Sequence, residues 1–313
     1  MSWRTRRAAA ATIGCALLAL AGCTTSPGRG TAARSTPAPA APSSGSAPAI
    51  VPPTGSPAPA GTGAPGRPAH VVVAVFENKA YRQIIGDPAA PYLTSLSHRA
   101  ASFSDARAET HPSQPNYLAL FSGSTQGVTT DRCPAPWPDR PNLGSQLIAA
   151  RFRFTGYAED LPAPGYRGCG AGRYAGKHNP WMDFGNVPAA DNQPYTSWPA
   201  DFDRLPTVAF VVPNLCHDMH DCAVATGDAW ARAHLDPYLR WADSHQSRLI
   251  VTFDENDGGR GNQIATLIAG AGVRPAAHPE AINHYTILRT IEDWYGLPPI
   301  GNAASAVPIR GLG

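Results

Sequence analysis

The stretch His70-Val71-Val72-Val73-Ala74-Val75-Phe76, followed at once by Glu77-Asn78, decides the fold. Its apolar residues run without polar alternation. That pattern belongs to a strand covered on both faces, as in a parallel sheet between layers of helices. Outward from it, Leu249–Phe253 repeats the pattern and stops at Asp254-Glu255-Asn256-Asp257. Val208–Val212 ends at Pro213-Asn214, and Ile264–Ala269 ends in Gly270-Ala271-Gly272. Helical patterns over 230–245 and 282–294 lie among these runs. Strands alternating with helices predict an α/β fold with a mostly parallel central sheet flanked by helices.

Ligands of such sheets sit beyond the carboxyl ends of the strands. Two strands would deliver Glu77-Asn78 and Asp254-Glu255 to that edge. Carboxylates converging there repel unless a cation lies between them, and oxygen donors suit a divalent metal. Taken singly, either pair reads more readily as a helix cap or a solvated strand end. Thr110-His111-Pro112-Ser113-Gln114-Pro115-Asn116-Tyr117 is the next constellation. Its prolines frame Ser113, and the following residues read as the start of a helix. A serine there meets backbone N–H groups and the positive helix end, both favourable to phosphate; taken alone it is also an ordinary serine in a proline-rich turn. Histidines recur in Lys177-His178-Asn179-Pro180, in Cys216-His217-Asp218-Met219-His220-Asp221-Cys222 and in Asn283-His284-Tyr285. Imidazoles donate to phosphate oxygens or protonate leaving groups near neutral pH.

The chain has 313 residues and a formal charge of +2, with no span long enough to suggest a polytopic membrane protein and no basic footprint for nucleic acid. That charge hides a division. Residues 1–68 contain six arginines and no acid, so the other 19 basic residues face all 23 acidic ones, a net −4. Arg4, Arg6 and Arg7 precede the apolar stretch Ala8–Leu20 and then Ala21-Gly22-Cys23. This reads as a secretory leader over 1–22, and its end resembles a bacterial lipobox, which implies lipidation of Cys23; an ordinary leader cut near Ala21, leaving a secreted enzyme, is the alternative. Residues 23–68, rich in Ala, Pro, Gly, Ser and Thr, read as a disordered tether. A single domain over 69–313 follows. Its cysteines, Cys133, Cys169, Cys216 and Cys222, are even in number, and export favours two disulfides over a zinc site. Of three pairings, Cys216–Cys222 with Cys133–Cys169 is expected from the shortness of the first loop.

Six segments then carry a resemblance: VVVAVFENKAYRQIIG (71–86), THPSQPNYLALFSGST (110–125), KHNPWMDF (177–184), FVVPNLCHDMHDC (210–222), LIVTFDENDGG (249–259) and INHYTILRTIEDWYGL (282–297). Their order is similar to that of the bacterial phosphoesterase family, which groups secreted acid phosphatases with phospholipases C and is related to the alkaline phosphatase superfamily. The resemblance implies a three-layer alkaline phosphatase-like sandwich. It implies a divalent metal held by Glu77, Asn78, Ser113, Asp254 and Glu255. Ser113 would be the nucleophile, forming a phosphoserine, with His220 and His284 as further catalytic groups. Asn116, His111, His178 and Asp218 would surround the phosphate. Phospholipases C of the family carry a second acid and a histidine after the Glu-Asn pair, where this chain has Lys79-Ala80-Tyr81-Arg82-Gln83-Ile84-Ile85-Gly86. The chain therefore looks more like the small secreted acid phosphatases, including the phosphatidylinositol-3-phosphatase type. The expectation is a monomeric, membrane-tethered, exported phosphomonoesterase acting on a phosphate ester. A phospholipase C and a non-catalytic binding lipoprotein are the alternatives.

Overall fold

The computed structural model describes residues 66–312. The expected leader, Cys23 and most of the tether lie outside these residues.

The opening run forms β1 (Val71–Phe76), buried along its whole length. It pairs in parallel with β7 (Val208–Val212) on one side and β8 (Arg248–Phe253) on the other. The sheet grows outward from this trio. Beyond β7 come β3 (Phe154–Ala158) and the short β6 (Asn192–Pro194), both parallel. Beyond β8 come β9 (Gln263–Gly270), β2 (Ala101–Arg107) and the edge strand β10 (Ala276–Asn283), giving the order β10-β2-β9-β8-β1-β7-β3-β6. A separate small hairpin joins β4 (Gly170–Ala171) to β5 (Tyr174–Ala175).

The expectation of a mostly parallel sheet is met, with one difference in detail. β9 runs antiparallel to both β8 and β2. Its Gly270-Ala271-Gly272 end therefore lies at the edge away from the other strand ends, and Asn262, just before it, takes that place. Four strands lacked an apolar signal. β2 and β3 are only partly apolar, β6 is three residues long, and β10 is largely exposed and contains Pro279. Proline is tolerated on such an edge because one row of N–H groups has no ladder partner.

Register shows the layering. Val73 pairs with Phe210 and Phe76 with Phe253. Residues an odd number apart on a strand point to opposite faces, so Phe210 and Phe76 lie on opposite sides of the sheet. On one side α4 (Val224–Ala242) sets Trp230 against Phe76, ring centroids 6.0 Å apart, with α1 (Pro91–Ser97) packed beside it. On the other side α2 (Ser113–Ser122) sets Phe121 5.6 Å from Phe210. There α2 packs on α3 (Leu143–Ala149) and α5 (His284–Tyr295). The helical patterns over 230–245 and 282–294 thus correspond to α4, which starts earlier, and α5. No helix of the described residues is long and apolar enough to cross a membrane. Both disulfides have the expected pairing, Cys133–Cys169 and Cys216–Cys222.

Candidate active site

Every parallel strand ends at one edge, and the side chains singled out from the sequence gather there. Glu77 follows β1 and is fully buried. Its main-chain N–H donates to Asp218 O at 2.8 Å, while Asp254 N–H donates to Phe76 O at 2.9 Å, so the three strand ends are laced together. Asn78 turns the chain with a left-handed φ of 53°, a conformation its short polar side chain tolerates. The turn directs Asn78 N–H to Asp254 Oδ1 at 2.9 Å and its Nδ2 to Glu77 Oε2 at 3.0 Å.

Ser113 is the first residue of α2, where the helix leaves N–H groups without intrahelical partners. Its hydroxyl lies 2.9 Å from Glu77 Oε2 and 3.2 Å from Glu255 Oε1, with either carboxylate able to accept its proton. The other oxygen of Glu255 meets His111 Nδ1, whose side chain is 40% exposed and so opens to solvent. One helical turn after Ser113, Tyr117 stacks on His178, rings 5.2 Å apart and inclined by 15°.

His178 sits between two carboxylates: Nε2 is 3.1 Å from Glu77 Oε1 and Nδ1 is 3.3 Å from Asp218 Oδ2. Asp218 in turn accepts His220 N–H at 2.8 Å. Ligand atoms of Glu77, His178 and His220 all fall within 4.8 Å of one another. Several buried atoms of this group have no hydrogen-bond partner: Glu77 Oε1, His178 Nε2, Asp218 Oδ2 and Asp254 Oδ2. Buried polar groups are rarely left so. Converging carboxylate oxygens and an imidazole nitrogen, short of partners yet close together, form a donor set that fits a divalent cation.

Electrostatics point the same way. Burial, then the charges of Asp254 and Asp218, holds Glu77 well above the usual carboxylate range. Burial raises Asp254 as well, and pushes Asp218 and Glu255 up to about 7. Burial, with Lys177 nearby, drives His178 down to about 3, which leaves it a neutral imidazole suited to ligation. Four acids this close carry a cost in ionised form that positive charge would remove.

Two expected substrate or catalytic residues have a different setting. Asn116 is fully buried and turns its amide on the loop before it. It accepts from Glu109 N–H and Thr110 N–H at 3.1 and 3.0 Å and donates to Thr110 O and Pro112 O at 2.9 and 3.1 Å. It braces the loop that presents Ser113. His284, equally buried, has Nδ1 2.5 Å from Glu109 Oε2 and Nε2 2.9 Å from Phe253 O. Burial opposes its protonation, but Glu109 outweighs that and the net shift is upward. Both partners are acceptors, so the ring donates at both nitrogens and ties α5 to the ends of β2 and β8. Glu109 itself escaped the sequence reading because β2 has no apolar run to mark its end. Asn262 escaped it because β9 runs the other way; its Oδ1 accepts Asn256 N–H at 2.8 Å and its Nδ2 donates to Thr110 O at 2.7 Å.

Comparison with known proteins follows this geometry. A Phosphoesterase family model matches residues 87–298. Over 246 residues the chain is 49% identical to a phosphatidylinositol-3-phosphatase of Mycobacterium tuberculosis, covering 78% of this chain and 82% of that protein. It is 28% identical to an acid phosphatase of Aspergillus fumigatus, over 72% of this chain and 54% of the relative. Among solved structures, a protein of the alkaline phosphatase superfamily from Vibrio parahaemolyticus superposes with a TM-score of 0.54 at 14% identity, covering 78% of this chain and 71% of the other.

Proposed function

Because the chain belongs to the phosphoesterase family and is a phosphoric ester hydrolase, we propose that it is a metal-dependent phosphomonoesterase whose nucleophile is Ser113. The observation that carries this reading is the Ser113 hydroxyl at a helix start, within 2.9 Å of Glu77 and 3.2 Å of Glu255. Ser113 Oγ attacks the phosphorus and its proton passes to Glu255. The new P–O bond makes a phosphoserine as the ester P–O bond breaks. His111, on the other oxygen of Glu255 and open to solvent, supplies the departing alkoxide with a proton. Water then releases inorganic phosphate and restores the serine. Glu77, His178 and His220, with Asp254 alongside, would hold the divalent cation, which would neutralise phosphate charge and make the serine more acidic when bound. In that assignment His220 serves the metal. Asn78 helps by holding the carboxylates of Glu77 and Asp254 in place.

The substrate we favour is a phosphomonoester of the phosphatidylinositol 3-phosphate kind, on the strength of the 49% identical relative. Export through the leader over 1–22 and anchoring through Cys23 belong to the same reading. Two disulfides in a domain of this size support an oxidising compartment.

Ser113→Ala is expected to lower turnover of p-nitrophenyl phosphate by at least about 10³-fold with the fold intact, as removal of a covalent nucleophile does. Turnover near the wild-type value would remove Ser113 from this role. Release of phosphocholine from phosphatidylcholine, in place of phosphate from monoesters, would instead favour the phospholipase C reading.

A further inference from the structure

Asp131 lies between α2 and α3 and touches two separate parts of the site. Its Oδ1 accepts the main-chain N–H of Gln114 at 3.0 Å, and its Oδ2 accepts from Lys177 Nζ at 2.7 Å. The residue before α2 is Pro112, which has no side-chain oxygen to cap the helix. Asp131, seventeen residues beyond Gln114, meets that need from another loop.

The two loops are also fastened covalently. Cys133, two positions after Asp131, is bonded to Cys169. Cys169 O accepts the N–H of Gly176 at 2.8 Å, immediately before Lys177. A Cβ on Gly176 would stand 2.8 Å from Gly168 O and 3.1 Å from both Cys133 Sγ and Cys169 Cα. The backbone leading to Lys177 is thus pressed against the disulfide. Anchored on that side by the disulfide and on the other by Asp131, the ammonium stands 3.5 Å from His220 Nε2.

A phosphomonoester brings negative charge to a pocket already built from Glu77, Asp218, Asp254 and Glu255. The other nearby ammonium, Lys79, is turned to the carbonyls of Asn78 and Met219 at 3.2 and 2.7 Å. An ammonium has three donors; Asp131 takes one of Lys177's, and with His220 Nε2 given to the metal the others are left for phosphate oxygens.

We propose that Lys177 binds the substrate phosphate and that Asp131 positions it while anchoring the start of the nucleophile helix. This rests on the phosphomonoesterase reading and adds to it a cation that belongs to the chain itself. A fixed positive charge at the transferring phosphoryl group stabilises its equatorial oxygens without reorganisation at the moment of reaction.

The test uses the full chain with p-nitrophenyl phosphate as substrate and inorganic phosphate as inhibitor. Lys177→Met is expected to lower kcat/KM by about 10²-fold and to raise the inhibition constant for phosphate about tenfold, with Tm close to wild type. Lys177→Arg keeps the charge and is expected to recover part of both. Asp131→Asn is expected to weaken phosphate inhibition in the same direction, which a residue that only supports the fold would not do. Unchanged phosphate inhibition in Lys177→Met, beside an active wild type, overturns the proposal; should that variant not fold, Lys177→Gln decides by the same criterion. A wild type inert towards all phosphomonoesters overturns the phosphomonoesterase reading instead. Calorimetric titration of inorganic phosphate into wild type and Lys177→Met then still tests Lys177, and equal affinities sink it.

Discussion

Asn116 shows how much of this site depends on residues that never face its opening. Its amide makes four bonds to the main chain of 109–112, and those residues lead directly into Ser113. Asn116→Ala leaves two part-buried N–H groups without their acceptor, at a cost of about 1 kcal/mol for each such group. It also frees the serine to shift, and a displacement of about 1 Å can cost about 10²-fold in rate. The expected outcome is a fall in kcat of that order together with a lower Tm. A variant with wild-type kcat would show that the loop holds its shape unaided. Asn116 and His284 were visible in the sequence as members of motifs. Their roles were not, because a residue beside a catalytic group can touch either the substrate or the backbone, and only packing distinguishes the two.

At the scale of elements, α5 carries a burial that sequence pattern would not choose. Glu292 faces inward, fully buried, and accepts Ile300 N–H at 3.0 Å. Its other oxygen, Oε2, has no partner. Burial pushes the carboxyl up to about 7. An acid raised in the folded state favours folding most below its unfolded value of 4.5, and that contribution is lost as pH rises through about 7. The wild type should therefore lose Tm between about pH 5 and 8 in a way that Glu292→Gln does not. The variant should be the more stable of the two at about pH 8, by about 2–4 °C for each kcal/mol gained. Parallel Tm profiles for the two proteins would show that Glu292 stays ionised. Strand legibility at this scale followed burial. β1, β7 and β8 lie in the middle of the sheet, covered on both faces, and their apolar runs marked them. β10 and β6 at the two edges had no reason to be apolar. The end of β2 was hidden with its strand, and Glu109 with it; β9 was marked by its apolar run but not in its direction, so Asn262 at its start went unseen.

Across the whole molecule, one edge of an eight-stranded sheet collects acids from the ends of β1, β7 and β8. Bringing these acids together opposes folding unless positive charge arrives, so a cation bound to the native state should stabilise it by mass action. Chelation with EDTA is expected to lower Tm by several degrees and abolish phosphate release, with both restored by a divalent metal. Identical melting with and without chelator would remove the metal from the proposal. The sequence by itself marked the buried central strands, the α/β class, the disulfide pairs, the strand-end residues Glu77, Asp254 and Glu255, and Ser113 at a helix start. These follow from local signals: unbroken apolar runs, loop length, and polar residues placed where a strand must stop. Tertiary structure alone decided which side chains meet. It put His178 against Glu77, set Asp131 under both Gln114 and Lys177, and turned Asn116 and His284 to supporting the site. Those contacts join residues up to 175 positions apart, and no local pattern records which distant loops a sheet will bring to the same edge.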